Sequence, residues 1–209
     1  MQATINSILA TVMIVLLAGT AQAQDGQIES LAGGGKKRIR VGGFGAPTIK
    51  YTTFYDQSAI LLGGYAGVML NSKIMLGAGG YALVNNIEAP ENSPGSPTQY
   101  WNMWYTGFVP EYTIKSDKLF HAAVGLLIGG GGVFKSERYH GVSDENTDWD
   151  HSGFFVGEPH VSFEMNITKY LRIGVGGSYR YVQGSNTSGI TDSQLSGPAA
   201  HFTLKAGRF

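Results

Sequence analysis

Between Glu158 and Ile167 the chain reads E-P-H-V-S-F-E-M-N-I, with polar and apolar residues in alternation. A repeat of two is the geometry of a β-strand, in which successive side chains point to opposite faces. Pro159, Val161, Phe163, Met165 and Ile167 therefore share one face, and Glu158, His160, Ser162, Glu164 and Asn166 share the other. Such a strand belongs in a sheet with polar surroundings on one side and apolar surroundings on the other. The pattern returns after a short break: Leu171, Ile173, Val175, Tyr179 and Tyr181 alternate with Arg172, Ser178 and Arg180. A hairpin centred on Lys169 pairs odd positions with odd positions, so the two apolar faces become one. It also sets Glu158 across from Arg180 and Asn166 across from Arg172.

The same reading extends over the chain. Strands are predicted over 37–55, 58–71, 73–88, 98–115, 119–134, 153–167, 171–183 and 196–209, with no convincing helix between them. After a tight first turn at Asp56-Gln57, the connections alternate between short and long. An antiparallel meander closed into a barrel gives that rhythm when one rim carries short turns and the other long loops. The first turn puts Ile49, Tyr51 and Tyr55 on the face of Ile60 and Leu62. A second hairpin centred on Ser72 extends that face to Ile74, Leu76 and Val84, and sets Tyr65 opposite Gly79 and Tyr81 opposite Gly63. An aromatic ring over a cross-strand glycine fills a narrow lumen. The alternative for each of the 31 glycines is that it eases strand bending.

Composition decides which face looks outward. Charged residues make up 14% of the chain, against roughly 25% in soluble domains. A soluble lipocalin-like barrel needs polar residues outside on every strand, and the second, third and fifth strands have almost no charge. The apolar face is therefore expected to meet lipid. Trp101, Trp104, Tyr51, Tyr179 and Tyr181 fall toward the long-loop rim, and Tyr112, Phe120, Tyr170 and Phe209 toward the other, as an interfacial aromatic belt requires. The formal net charge of +0 builds in no general attraction to nucleic acid, and the absence of cysteine removes disulfides and thiolate chemistry. At the start of the chain, the apolar run Ile8 to Leu17 followed by Ala21-Gln22-Ala23 reads as a cleaved signal peptide over 1–23, although residues 1–7 lack Lys and Arg. A polar periplasmic segment, 24–36, then leads into a barrel spanning 37–209.

V-G-G-F-G-A-P at Val41 to Pro47, E-P-x-x-x-x-E-x-N from Glu158 to Asn166, Tyr179-Arg180 and the terminal Phe209 carry a resemblance to the small eight-stranded outer-membrane β-barrels. That class includes the membrane domain of outer membrane protein A, and the chain is most similar to its glycine-rich Bacteroidetes-type members. The resemblance implies an all-β, up-and-down transmembrane barrel in the outer membrane. It implies monomeric insertion by the barrel-assembly machinery among outer-membrane lipids and lipopolysaccharide, with no cofactor. It also implies that Phe209 is the assembly signal. Ala200, Phe202, Leu204 and Ala206 are out of phase with Phe209, which implies either a bulge near Gly207 or a weak signal.

His160, Ser162 and Glu164 resemble the Ser, His and acid set of a lipid A deacylase on this fold, but all three fall on the polar, inward face. Charges in the lumen argue against the hydrocarbon pocket of a palmitoyltransferase. Asp144 to Asp150 alternates oxygen ligands as calcium loops do, yet Trp149 stands where an EF-hand needs Gly and Phe155 where it needs Glu. His140 and His151 form no zinc pattern. No catalytic or metal-ligating residue is therefore assigned. The polar residues Lys50, Glu111, Glu158, His160, Glu164, Arg172, Arg180 and Lys205, with Tyr65, Tyr81 and His201, are expected to plug the lumen, Glu158 pairing with Arg180, and Lys50 and Lys205 sharing Glu111 or Glu164. The function expected is a structural or surface-interaction role. The alternatives are a lipid A-modifying hydrolase and a soluble exported ligand-binding barrel.

Overall fold

The computed structural model describes residues 39–90, 98–136, 152–185, 187 and 189–209. The signal-peptide, N-terminal-segment and calcium-loop readings, with His140 and His151, lie outside the described residues. Eight strands form the molecule: β1 (Val41–Phe54), β2 (Gln57–Leu70), β3 (Ile74–Leu83), β4 (Tyr100–Ile114), β5 (Phe120–Ser136), β6 (Ser152–Asn166), β7 (Leu171–Gln183) and β8 (Gly197–Gly207). Each pairs antiparallel with its neighbour and β1 closes on β8, giving a closed barrel.

The hairpin registers follow the sequence pattern. Tyr65 pairs with Gly79 and Gly63 with Tyr81, as a turn centred on Ser72 demands. Asn166 pairs with Arg172 and His160 with Ser178, as a turn centred on Lys169 demands. The first turn differs by one residue. Phe54 pairs with Gln57, so the turn is Tyr55-Asp56, at φ of 51° and 57°. Two successive positive φ values make the two-residue turn whose twist matches a hairpin. Tyr55 thus leaves the strand face, donates its N–H to the Gln194 carbonyl at 3.1 Å, and brings its ring 5.9 Å from that of Trp101. Parity survives, because the pairing moves by two residues, setting Ile49 against Leu62 and Tyr51 against Ile60.

β3 stops at Leu83, short of the predicted 88. Beyond it Glu88 makes an isolated bridge to Tyr100, and Ile87 folds inward with no exposure. One short helix, α1 (Asp192–Leu195), also escaped the sequence pattern; it sends Leu195 over the long-loop end of the lumen. No bulge interrupts β8. The β1–β8 pairing keeps one register from Thr52 opposite Ala199 to Phe44 opposite Gly207, and the Arg208 N–H still reaches the Gly43 carbonyl at 3.0 Å. Phe209 therefore keeps the inward phase of His201 and Lys205, and lies partly buried against the core. Trp101 is likewise inward and 1% exposed, whereas Trp104, Tyr51, Tyr179 and Tyr181 are exposed. The rim aromatics thus exclude two of the nine expected from sequence, both because their parity points inward.

The two faces are chemically opposite. Val161, Phe163, Val175, Phe202, Leu62 and Phe108 stand exposed on the outside. The charged residues of the eight strands are Lys50, Glu111, Lys135, Glu158, Glu164, Arg172, Arg180 and Lys205, and all occupy inward parity positions. The lumen itself has two halves. Toward the long loops it is packed with Phe54, Leu61, Trp101, Val133, Val156 and Val182, roofed by Ile87 and Leu195. The polar half lies below Arg180, toward the short turns.

Candidate functional site

Lumen side chains reach one another across strands that do not pair, and two ionic clusters result. The upper cluster centres on Glu158 of β6. Its carboxylate accepts from Lys50 Nζ of β1 at 2.7 Å, Tyr105 Oη of β4 at 2.7 Å and Ser178 Oγ of β7 at 2.6 Å. The Lys50 ammonium also sits 3.5 Å from the centre of the Tyr81 ring, a cation–π contact inside the protein. The lower cluster has two carboxylates sharing one cation. Lys205 of β8 pairs with both Glu111 of β4 and Glu164 of β6. Glu111 further accepts from the Tyr65 hydroxyl at 2.9 Å and contacts His160 Nε2 at 3.1 Å; Glu164 contacts His121 Nε2 at 3.0 Å. Burying a charge is costly unless it is paired and hydrogen-bonded in this way.

Glycine makes these crossings possible. His160 on β6 reaches Glu111 on β4 over Gly125 of β5, where an added Cβ would lie 2.5 Å from the imidazole. Ser162 on β6 reaches His201 on β8 over Gly176 of β7, where a Cβ would lie 2.7 Å from His201 Nε2. The aromatic-over-glycine pairs work similarly, since a Cβ at Gly79 would fall 2.6 Å from that of Tyr65. The lumen glycines at these points are bays that admit a neighbour's side chain.

The structure redraws two contacts read from sequence. Arg180 lies beside Glu158 in register but makes no ion pair with it among the described residues; Lys50 takes that place. Arg180 instead donates Nε to the Leu195 carbonyl at 2.7 Å and Nη2 to the Thr53 carbonyl at 3.2 Å. Cross-strand register fixes only paired neighbours, whereas the shorter reach runs across the lumen from β1 to β6. Lys205 joins Glu111 and Glu164, while Lys50 belongs to Glu158, so the two lysines do not share a carboxylate. Tyr105, His121 and Ser178 were missed. Tyr105 was accessible to the rule that found Tyr65, because it pairs with Gly131.

The Ser, His and acid set does not assemble. Ser162 Oγ lies 2.9 Å from His201 Nε2, not against His160, and His201 Nδ1 has no hydrogen-bond partner. A serine nucleophile needs its histidine held by a third group, and the acid Glu164 is held by Lys205 and His121 instead. Ser162 is 3% exposed and faces the lumen, away from the apolar exterior where an acyl chain would lie. Among the described residues no group of three or more His, Asp or Glu is placed to hold a metal ion.

No family model and no curated protein matches the chain. Solved structures do. Neisserial surface protein A superposes with a TM-score of 0.53 at 13% identity, over 82% of this chain and 99% of that one. Ail of Yersinia pestis, in complex with the heparin analogue sucrose octasulfate, gives 0.43 at 10%, over 81% and 98%. The outer membrane protein OprG from Pseudomonas aeruginosa gives 0.38 at 11%, over 81% and 93%. The chain has the closed eight-stranded antiparallel fold of outer-membrane barrels. At 13% identity the likeness to Neisserial surface protein A is one of fold alone. The narrower resemblance to the outer membrane protein A class and its Bacteroidetes-type members has no family match behind it.

Proposed function

We propose that this chain is a monomeric outer-membrane β-barrel with a structural or surface-interaction role and a lumen closed by its own side chains, without catalysis. One observation carries the reading: the strands' charges all point inward while the outside is apolar. In water that arrangement is inverted, because it leaves Phe163 at 71% and Val175 at 56% exposure and hides Lys205 and Arg180. In a bilayer it is the required one, since lipid-facing positions of a barrel must be apolar and closure satisfies every backbone group. The apolar packing under Ile87 and Leu195 supports a plug, as does the satisfied network around Glu158. Lipid and lipopolysaccharide surround the barrel in this reading, and the barrel-assembly machinery inserts it.

Cell fractionation combined with a test of heat-dependent gel mobility examines the proposal. The folded chain is expected in the outer-membrane fraction with a mobility that changes only on heating. Release with the soluble periplasmic contents would overturn the membrane reading. Steady single-channel conductance in a planar bilayer would overturn the plug, and loss of a measurable lipid A deacylation on Ser162→Ala would overturn the non-catalytic reading.

A further inference from the structure

The lumen cations are not equally partnered. Lys50 and Lys205 reach carboxylates, and Arg180 reaches two carbonyls. Arg172 is 2% exposed, yet its Nε and Nη1 meet no acceptor in the protein. Those two nitrogens are closed to solvent as well as unpaired, and leaving charged donors in that state is costly, so an anion seated against this guanidinium would offset part of that cost. The Phe209 ring lies over the guanidinium, 3.9 Å from its carbon to the ring centre. The N–H groups lie in the guanidinium plane, so that contact takes none of them as a hydrogen bond.

Arg172 lines a cavity of about 320 Å³ at the short-turn rim. Lys169 lines it too, with Ser72, Ser116, Asn166 and Thr168, and Asp117 is its one acidic side chain. Asp117 is 3.5 Å from Lys118 and so is partly neutralised. The surrounding rim is cationic. Among the described residues Arg40, Lys73, Lys115, Lys118, Lys169 and Arg208 stand on it against one acidic side chain, Asp117. At the other rim, among the described residues, Asp56, Glu88 and Asp192 stand with the one cation Lys135, so these residues give the two ends opposite sign. A concave site within one sign of charge concentrates counter-ions.

We infer that this cavity is a binding site for a phosphate-type oxyanion, with Arg172 and Lys169 as its cationic contacts. Residues bearing a planar guanidinium, a compact ammonium and several hydroxyls line one cavity, a donor set that suits a tetrahedral group with three or more free oxygens or a phosphodiester with two. The same chemistry could be presented by free phosphate or by the headgroup of an anionic phospholipid. The site depends on the barrel's geometry and not on the function proposed above.

Calorimetric titration of inorganic phosphate into the full chain, folded in neutral detergent, tests the free anion. Native mass spectrometry after reconstitution into phosphatidylcholine vesicles with and without phosphatidylglycerol tests the headgroup. Binding in either arm should weaken by about tenfold or more in Arg172→Gln and by a smaller factor in Lys169→Gln. Asp117→Asn should strengthen it. Lys115→Gln, which removes an equal rim charge outside the cavity, should leave it nearly unchanged. If Arg172→Gln does not fold, Lys169→Gln and Asp117→Asn carry the test in opposite directions. Binding in the first arm assigns free anion and in the second alone assigns lipid. Absence of binding in both, or equal effects of Lys115→Gln and the cavity variants, overturns the site.

Discussion

Glu158 and Lys50 should behave as one thermodynamic unit. Replacing Glu158 with Gln removes the carboxylate from Lys50, whose remaining neighbours are the Tyr81 ring at 3.5 Å and the Tyr105 hydroxyl at 3.4 Å. Neither neutralises an ammonium that is 5% exposed, so the loss should be about 3 to 5 kcal/mol, the usual consequence of breaking a buried pair. Lys50→Met should cost less, about 1.5 to 3 kcal/mol, because Glu158 keeps the Tyr105 and Ser178 hydroxyls as donors. In the double variant no stranded charge remains from the pair, and the total should fall short of the sum by about 1 to 3 kcal/mol. The assay is urea unfolding of the barrel in vesicles, read by heat-dependent mobility for wild type, both singles and the double. A parallel cycle with Arg180→Met discriminates the alternative read from sequence, and should give the smaller coupling. Additive losses for Glu158 and Lys50, or a larger coupling for Glu158 and Arg180, would refute the assignment of partners.

Phe163→Arg should cost about 2 to 4 kcal/mol if the site lies near the bilayer midplane, whereas Phe163→Leu should be near neutral; equal unfolding midpoints for the two variants would mean the exterior is not apolar. Gly129→Ala should reduce folding sharply, since its Cβ would lie 1.9 Å from the Thr106 carbonyl oxygen, while Gly45→Ala, with nothing within 4 Å, should fold with wild-type yield. Deleting Phe209 should lower the membrane-inserted fraction if this residue signals assembly, as judged by the heat-stable band. The same deletion uncovers Arg172, so the purified barrel should also unfold at lower urea.

Much of the fold was legible because a sheet converts sequence parity directly into sidedness. The turns at Ser72 and Lys169 fixed β2–β3 and β6–β7, and through them the inward placement of Tyr65, Tyr81, Glu158 and Arg172. Parity also contained the answer for Trp101 and Phe209, which interfacial preference alone put on the wrong side. What parity cannot supply is distance across the lumen. Lys50 meets Glu158 although their strands do not pair, and Ser162 meets His201 by passing over Gly176. The roof was illegible for a related reason: Ile87 and Leu195 lie in connections with no repeat of two, and only the closed barrel brings them over the same opening.

The division of the lumen into an apolar and a charged half has an electrical consequence for a barrel seated in a bilayer. A voltage drops across the least polarisable part of its path, and the packing around Phe54, Leu61 and Val156 extends the hydrocarbon slab through the barrel's own centre. The clusters at Glu158 and Lys205 lie on the short-turn side of that packing, so the part of the drop that falls across it does not act on them. A unit charge carried through a full 100 mV experiences about 2.3 kcal/mol, and these charges would sense a fraction of it. Each carboxylate is also held against a lysine, so the field meets opposite charges side by side and its pulls on them largely cancel.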